Sequence, residues 1–383
     1  MSNTFRDEMQ LDSEFAYFDH AAVSPLTAQA CKEMESQLQQ VTSSGCWHWL
    51  SWRERVEQCR SLAAKLINAQ ESEIALSHST TEGLGFVAEG YPWQSGENVV
   101  LPTGEFPSNR FPWMNLKRKG VEVREVEMPS GELDLDRIAD ACDEKTRVIS
   151  CSWVGYLSGY RVNLAELCDV AQKANARLCL DAIQGLGVMQ LDVKQTPIDY
   201  MSADGHKWLL GPEGAGIFYV REDRLAELQP LGVGWNSVKA SGDFSHGGFE
   251  LKQETSRYEG GTFNMIGLAG LTGSLRVFNQ WGVDSVHHSL KQVVSQVQQF
   301  LDSVGAERFS PEIDSDHWSG ILTFTIPGIS SLKLRDFCYQ RKVICSHRGG
   351  YLRLSPHAYT DDTDLDRLKA VLTEGIETLR AEA

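Results

Sequence analysis

Lys207 lies in the glycine-rich string Ser202-Ala203-Asp204-Gly205-His206-Lys207-Trp208-Leu209-Leu210-Gly211-Pro212-Glu213-Gly214-Ala215-Gly216, and Asp181 ends an apolar run 26 residues earlier. An amine displayed among glycines can condense with an aldehyde as a Schiff base. A carboxylate ending a buried strand can keep a pyridine nitrogen protonated. Those are the two needs of pyridoxal phosphate (PLP) chemistry. A free lysine amine, with a pKa of ~10.4, is a poor nucleophile at neutral pH, and lowering it by ~3 units is worth about 4 kcal/mol. The surroundings of Lys207 must supply that difference.

Other residue types fit around the same chemistry. The segment Ser77-His78-Ser79-Thr80-Thr81-Glu82-Gly83 follows a strand candidate and opens a helix candidate. Hydroxyls and free N–H groups there, with Thr80 and Thr81 foremost, would suit a phosphate, although the segment also reads as an ordinary helix cap. Gln184 could hydrogen-bond a ring hydroxyl, and His206 is either a phosphate ligand or a packed core histidine. Phe106, in Glu105-Phe106-Pro107-Ser108-Asn109, could stack on a planar ring or belong to the core. Arg353, among the apolar neighbours of Tyr351-Leu352-Arg353-Leu354-Ser355, invites a bidentate carboxylate or a structural ion pair. Arg348 and Asn109 are further candidates for substrate binding. Trp47, Trp49 and Trp52 would form a lid, a dimer contact or plain core.

These residues need a scaffold. The 383 residues allow two domains, and 42% hydrophobic content suits a globular protein. β-rich runs at 73–76, 98–101, 121–126, 147–151, 177–181, 200–202 and 216–220 alternate with helix-like stretches at 81–89, 108–119, 134–141 and 163–175. Helices are also expected at 27–41 and 51–69. Such alternation predicts an α/β fold with a mostly parallel sheet, in which ligands collect at the carboxyl ends of the strands. Asp181 and the turns at 77–83 and 202–207 all map there. Beyond 265 the rhythm changes to a long helical stretch (266–303), strands at 321–326, 343–346 and 351–354, and a helix over 362–380. The expected division is a large domain at 15–265 and a smaller α+β domain at 266–383, which the N-terminal segment 1–14 joins.

The formal net charge of −16 argues against nucleic acid or an anionic membrane as a partner. No apolar run approaches a membrane span, and residues 1–8 lack the apolar stretch of a signal peptide. Nine scattered cysteines without a Cys-x-x-Cys pair read as reduced thiols of a cytoplasmic protein, with no metal site.

Six ordered motifs then resemble one family: Ser79-Thr80-Thr81-Glu82, Phe106-Pro107-Ser108-Asn109, Asp181-x-x-Gln184, Gly205-His206-Lys207 with Gly211-Pro212-x-Gly214-x-Gly216, Arg257-Tyr258-Glu259-Gly260-Gly261-Thr262, and Arg353-x-Ser355. With Tyr17-Phe18-Asp19-His20-Ala21-Ala22 at the start, the chain is similar over residues 15–375 to the class V aminotransferase family of PLP enzymes. That family includes cysteine desulfurases, selenocysteine lyases, kynureninases and isopenicillin N epimerase-like proteins. The resemblance implies a fold-type I homodimer with a seven-stranded sheet and a shared active site, acting on an α-amino acid through an external aldimine. In it Lys207 would carry the cofactor, Asp181 would pair the pyridinium, Gln184 would touch the ring hydroxyl and Phe106 would stack where desulfurases place histidine. Thr81, His206 and, from the second subunit, Thr262 would hold the phosphate, and Arg353 the substrate carboxylate.

Two departures stand out. Asp204 occupies the place of a phosphate-binding serine, an anion beside an anion. The loop Ser346-His347-Arg348-Gly349-Gly350-Tyr351-Leu352 lacks the thiol nucleophile of the desulfurases, and Cys345 lies in the run before it. The expectation is therefore a desulfurase-like carbon–sulfur lyase without the usual nucleophilic cysteine. A class V aminotransferase or an amino-acid epimerase is the alternative, and an inactive PLP-binding scaffold is the alternative of another class.

Overall fold

The structure is a computed structural model and describes residues 5–245 and 248–382. Residues 1–4 of the N-terminal segment and residue 383 of the C-terminal domain thus lie outside the described residues. A two-residue strand, β1 (Ala16–Tyr17), precedes two long helices, α1 (Ala28–Ser44) and α2 (Trp49–Leu66). The large sheet follows, with β2 (Ile74–Ser77), β3 (Asn98–Pro102), β4 (Glu122–Val126), β5 (Thr146–Ser152), β6 (Arg177–Asp181), β7 (Tyr200–Asp204) and β8 (Gly216–Val220). Its order is β2-β8-β7-β6-β5-β3-β4. β8 is antiparallel to both neighbours, and the remaining pairs are parallel.

Apart from the edge strand β4, whose Glu122, Arg124 and Glu125 leave it largely uncovered, these strands are rich in buried apolar residues because both faces are covered. On β6, Leu178 and Leu180 face one hydrophobic cluster with Ile149, Met201 and Ile217, while Cys179 faces a second with Val99, Val148 and Phe218. The first of the helices that cover the sheet, α3 (Thr80–Gly90), lies in the second cluster and packs on β7. Gly83 permits this approach, since a Cβ there would fall 2.3 Å from Ser202 Oγ. The helix start is thereby brought down beside the end of β7.

The expected helix at 108–119 is instead a set of short turns, including α4 (Phe111–Met114). Pro107 and Pro112 lack the N–H groups a continuous helix would use. Next come α5 (Leu135–Asp140) and α6 (Leu164–Lys173). The expected long helix at 266–303 is two, α7 (Met265–Trp281) and α8 (Val283–Ser303), broken at Gly282 with φ +77°.

The smaller sheet has the order β12-β13-β10-β9, from β9 (Glu307–Arg308), β10 (Leu322–Thr325), β12 (Ser346–Arg348) and β13 (Tyr351–Leu354), all antiparallel. Helices α9 (Ser331–Gln340) and α10 (Asp362–Ala381) pack together beside it. The expected strand at 343–346 divides at Cys345, and its first half, β11 (Val343–Ile344), pairs in parallel with β1. Packing thus crosses the 265/266 boundary in both directions. β1, counted with the large domain from sequence, is bonded to the small one, and α7, counted with the small domain, packs on α1 and α2.

Candidate active site

The carboxyl ends of β2, β5, β6 and β7 converge on a cavity of about 300 Å³. Its lining includes Thr80, Thr81, Phe106, Asp181, Gln184, Asp204, His206, Lys207, Arg348 and Arg353. Ten candidates scattered over 274 positions of sequence share one pocket. Two do not join it. Asn109 is fully buried beneath it, its Oδ1 accepting from Ser150 Oγ at 2.6 Å and Trp113 Nε1 at 3.2 Å, so it braces the fold where a substrate contact was expected. Thr262 is exposed and lines a separate hollow with His78 and Glu82.

Lys207 follows the end of β7 in a tight turn. Gly205 N–H donates to Ala215 O, Leu210 N–H donates back to Lys207 O at 3.0 Å, and the Ser24 hydroxyl caps the same carbonyl. The amine is buried and sits 5.5 Å from the centre of the Phe106 ring. Burial pulls its pKa down to about 8, against the opposing pull of Asp181, and Arg353 adds to the lowering. The apoprotein thereby delivers most of the ~3-unit reduction that aldehyde condensation at neutral pH demands.

Asp181 is equally buried, and its Oδ1 accepts from Ile183 N–H at 3.1 Å. Burial pushes its carboxyl up to about 6, with the Ile183 bond and the Lys207 charge pulling the other way. No ion pair joins it to a described lysine, arginine or histidine side chain. A protonated ring nitrogen is the kind of charge that would offset this burial and favour the ionised form. That lack of a partner is where the residues present fit PLP. Gln184 is fixed at both ends, its Nε2 donating to Ala21 O at 3.0 Å and its Oε1 accepting from Trp208 Nε1 at 2.8 Å. One amide hydrogen is left for a ligand.

At the start of α3, Ser79 caps Glu82 N–H at 3.1 Å and Thr81 donates to Ser108 Oγ at 2.7 Å, the kind of helix N-terminus that could receive an anion. Thr80 Oγ1 accepts from Asp204 N–H at 2.9 Å, which leaves its O–H free to donate. Asp204 accepts from Gly205 N–H at 2.7 Å and lies 3.0 Å from His206 Nδ1. Its carboxylate is thus partnered within its own turn.

Arg353 is buried on β13, and its guanidinium is held on several sides. Nη1 donates to Tyr156 O at 2.8 Å, Nε to Ser346 Oγ at 3.2 Å and Nη2 to Asp19 Oδ1 at 3.2 Å. Asp19 does not line the cavity, so it orients the guanidinium and leaves its open edge to a ligand. Arg348 is exposed at the pocket wall. Arg353→Ala should raise KM for a carboxylate-bearing substrate roughly 10- to 150-fold, because hydrogen bonds to charged groups are worth about 1.5–3 kcal/mol. Steady-state kinetics with an unchanged KM would remove that role.

Tyr156 was missed in the sequence. It lines the pocket and meets the Phe106 ring edge-on, with centroids 5.3 Å apart. It lies in the loop after β5, where no pattern marks it. None of the nine cysteines, all of them described, lines the pocket. Cys345 is buried, and its hydrogen bond with Cys338, together with burial, pushes its thiol up.

Comparison with known proteins decides the family. The model for aminotransferase class-V matches residues 16–368. The chain belongs to the class-V aminotransferase family. It is similar to a probable cysteine desulfurase of Methanothermobacter thermautotrophicus, 28% identical over 96% of each chain, and to a cysteine desulfurase of Escherichia coli, 32% identical over 63% of this chain and 62% of that one. Among solved structures it resembles a C-DES variant with glycine covalently linked to its PLP cofactor (TM-score 0.91, 20% identity, 97% and 100% of the two chains). It also resembles the apo cysteine desulfurase of Thermococcus onnurineus (TM-score 0.88, 22% identity, 99% and 100%). The fold is that of fold-type I PLP enzymes, and the cofactor of this class-V enzyme is PLP. Among the described residues no helix is long and apolar enough to cross a membrane, and no cluster of His, Cys, Asp or Glu could hold a metal ion.

Proposed function

We propose that this class-V enzyme is a carbon–sulfur lyase that removes sulfur from cysteine or cystine by β-elimination, with no cysteine of its own as sulfur acceptor. The observation that carries the reading is a pocket that holds Lys207, Asp181 and Arg353 together and has no thiol in its wall. Bound PLP supplies the electron sink for the pair left at the substrate Cα. Arg353 receives the carboxylate, which orients the substrate in the pocket. Lys207, with its amine shifted down by burial, takes the Cα proton. Asp181 holds the proton on the pyridine nitrogen, and Phe106 closes the apolar side of the site. Elimination breaks the Cβ–Sγ bond and sulfur leaves with the electron pair. Hydrolysis then balances cysteine and water against pyruvate, ammonia and sulfide.

One structural neighbour supports this chemistry by its name. The cystine C–S lyase C-DES, solved with its reaction product cysteine persulfide, matches at a TM-score of 0.87 and 21% identity over 94% and 97% of the chains. A persulfide-forming desulfurase is the second reading, favoured by the names of the relatives. It needs a thiol to attack Sγ and yields alanine in place of pyruvate. We place the enzyme in the cytoplasm as a homodimer, in which Thr262 would reach the neighbouring subunit's phosphate site. Its exposure outside the Lys207 pocket supports that role.

The holoenzyme given L-cysteine or L-cystine should release pyruvate and ammonia in equimolar amounts, with sulfide from cysteine and persulfide from cystine. Accumulation of alanine together with a protein-bound persulfide would overturn the lyase reading. Keto acid with aminated cofactor, or racemised substrate, would assign a transaminase or epimerase instead.

A further inference from the structure

The Phe106 ring is 42% exposed, so burial alone does not hold it over Lys207. What holds it comes from β5. Ser150 and Ser152, two residues apart, point to the same side of the sheet. Ser152 N–H donates to Glu105 Oε1 at 2.7 Å, and its hydroxyl meets Glu105 Oε2. Ser150 Oγ donates to Asn109 Oδ1 at 2.6 Å. Glu105 and Asn109 flank the segment that carries Phe106, so both ends of the turn are pinned to one strand. Glu105 is 8% exposed, and no described lysine, arginine or histidine pairs with it. Ser152 stands opposite Asp181 in the β5–β6 pairing, so the strand that holds Glu105 also borders the Asp181 strand end. Burial pushes the Glu105 carboxyl up to about 7, and Asp181 adds to the shift.

We propose that Glu105 is a positioning residue, held by Ser152, which together with Asn109 clamps Phe106 beside Lys207. Its carboxyl group accepts from both the N–H and the hydroxyl of Ser152, which fixes its orientation at two points. The inference rests on Phe106 covering the cofactor ring, and the test separates the two.

The apoprotein is titrated with PLP, and both the affinity and the visible absorption maximum of the bound cofactor are recorded. Phe106→Ala should weaken binding and shift the maximum, and the reading of Phe106 falls if it does neither. Glu105→Ala should reproduce both effects, weakening binding about tenfold for the loss of hydrogen bonds to the clamp. Glu105→Gln, which keeps an acceptor and a donor without charge, should stay within about twofold of the wild type. The clamp is overturned if Phe106→Ala moves the maximum and Glu105→Ala does not, or if Glu105→Gln fails as badly as Glu105→Ala. Should Glu105→Ala not fold, Ser152→Ala decides. It removes the hydroxyl alone, so a shifted maximum supports the clamp and an unchanged one overturns it.

Discussion

Lys207→Ala should lose the borohydride-reducible link to PLP and retain only loosely bound cofactor. Turnover should fall roughly 10²–10⁴-fold from the missing proton transfer alone. The expectation follows from how the amine is held. Its turn is fixed by backbone bonds and by Ser24, none of which involve the side chain, so the variant keeps its fold. Reduction, digestion and mass analysis would show the label on the peptide holding Lys207 in the wild type and nowhere in the variant. A reducible label that survives the substitution would move the role to another lysine. The pH dependence is part of the same result. Because burial draws Lys207 down to about 8, the amine loses its proton as pH rises through that value. Uptake of PLP by the apoprotein should therefore quicken with pH and level off above about 8. A rise continuing towards the ordinary lysine range, ~10.4, would show that burial does not act on this amine as inferred.

Arg60→Ala should be the most damaging substitution away from the pocket. The Arg60 and Glu259 side chains are 3% and 1% exposed. Arg60 Nη1 and Nη2 grip Glu259 at 2.5 and 2.9 Å, and Nη1 also donates to Ile74 O at 2.8 Å. Glu259 in turn accepts from Leu76 N–H at 2.8 Å, so the pair ties α2, β2 and the 258–262 segment together. Removing the guanidinium leaves a buried, unpaired carboxylate, a loss of about 3–5 kcal/mol. For a chain of this length that is a fall in Tm of about 4–6 °C. Calorimetry would show it, and Arg60→Ala with Glu259→Gln should recover part by removing the stranded charge. An unchanged Tm would mean that water reaches the pair. Thr262, three residues beyond Glu259, should lose its place too, so weaker PLP retention is expected alongside.

How far the sequence alone carried this picture depends on pattern length. The runs at 177–181, 216–220 and 351–354 matched the observed strands to the residue, because continuous apolar segments bounded by polar turns leave little choice of ends. The Lys207, Asp181 and Gln184 motifs were readable for the same reason, each following a strong strand. β1 was not, since two residues carry no periodicity and its partner lies more than 300 positions away. That Asn109 lies outside the pocket wall was not legible, because proximity to Phe106 in sequence says nothing of the β5 serine that bonds its side chain. Asp19 was read only as part of a motif. Its hold on Arg353 depends on Asp19 pairing with Ser355, just beyond β13, which no local signal reveals. Asp204 reads as a misplaced anion in sequence, and no local pattern shows that the Gly205 N–H of its own turn donates to it.

The pairing of β1 with β11 also bears on when the enzyme can assemble. A chain emerging from the ribosome meets its N-terminal residues first. Yet Phe18 N–H waits for Ile344 O, and Phe18 O waits for Ser355 N–H. The large sheet can therefore form while the segment from β1 to Val23, one wall of the pocket, still dangles without its strand partner. Such distant closure is entropically expensive and slow. A nascent chain stalled before β11 would hold Lys207 and Asp181 on a formed sheet, with neither the arginine nor the wall that confine a substrate. Competence arrives only once β11 and β13 have been made.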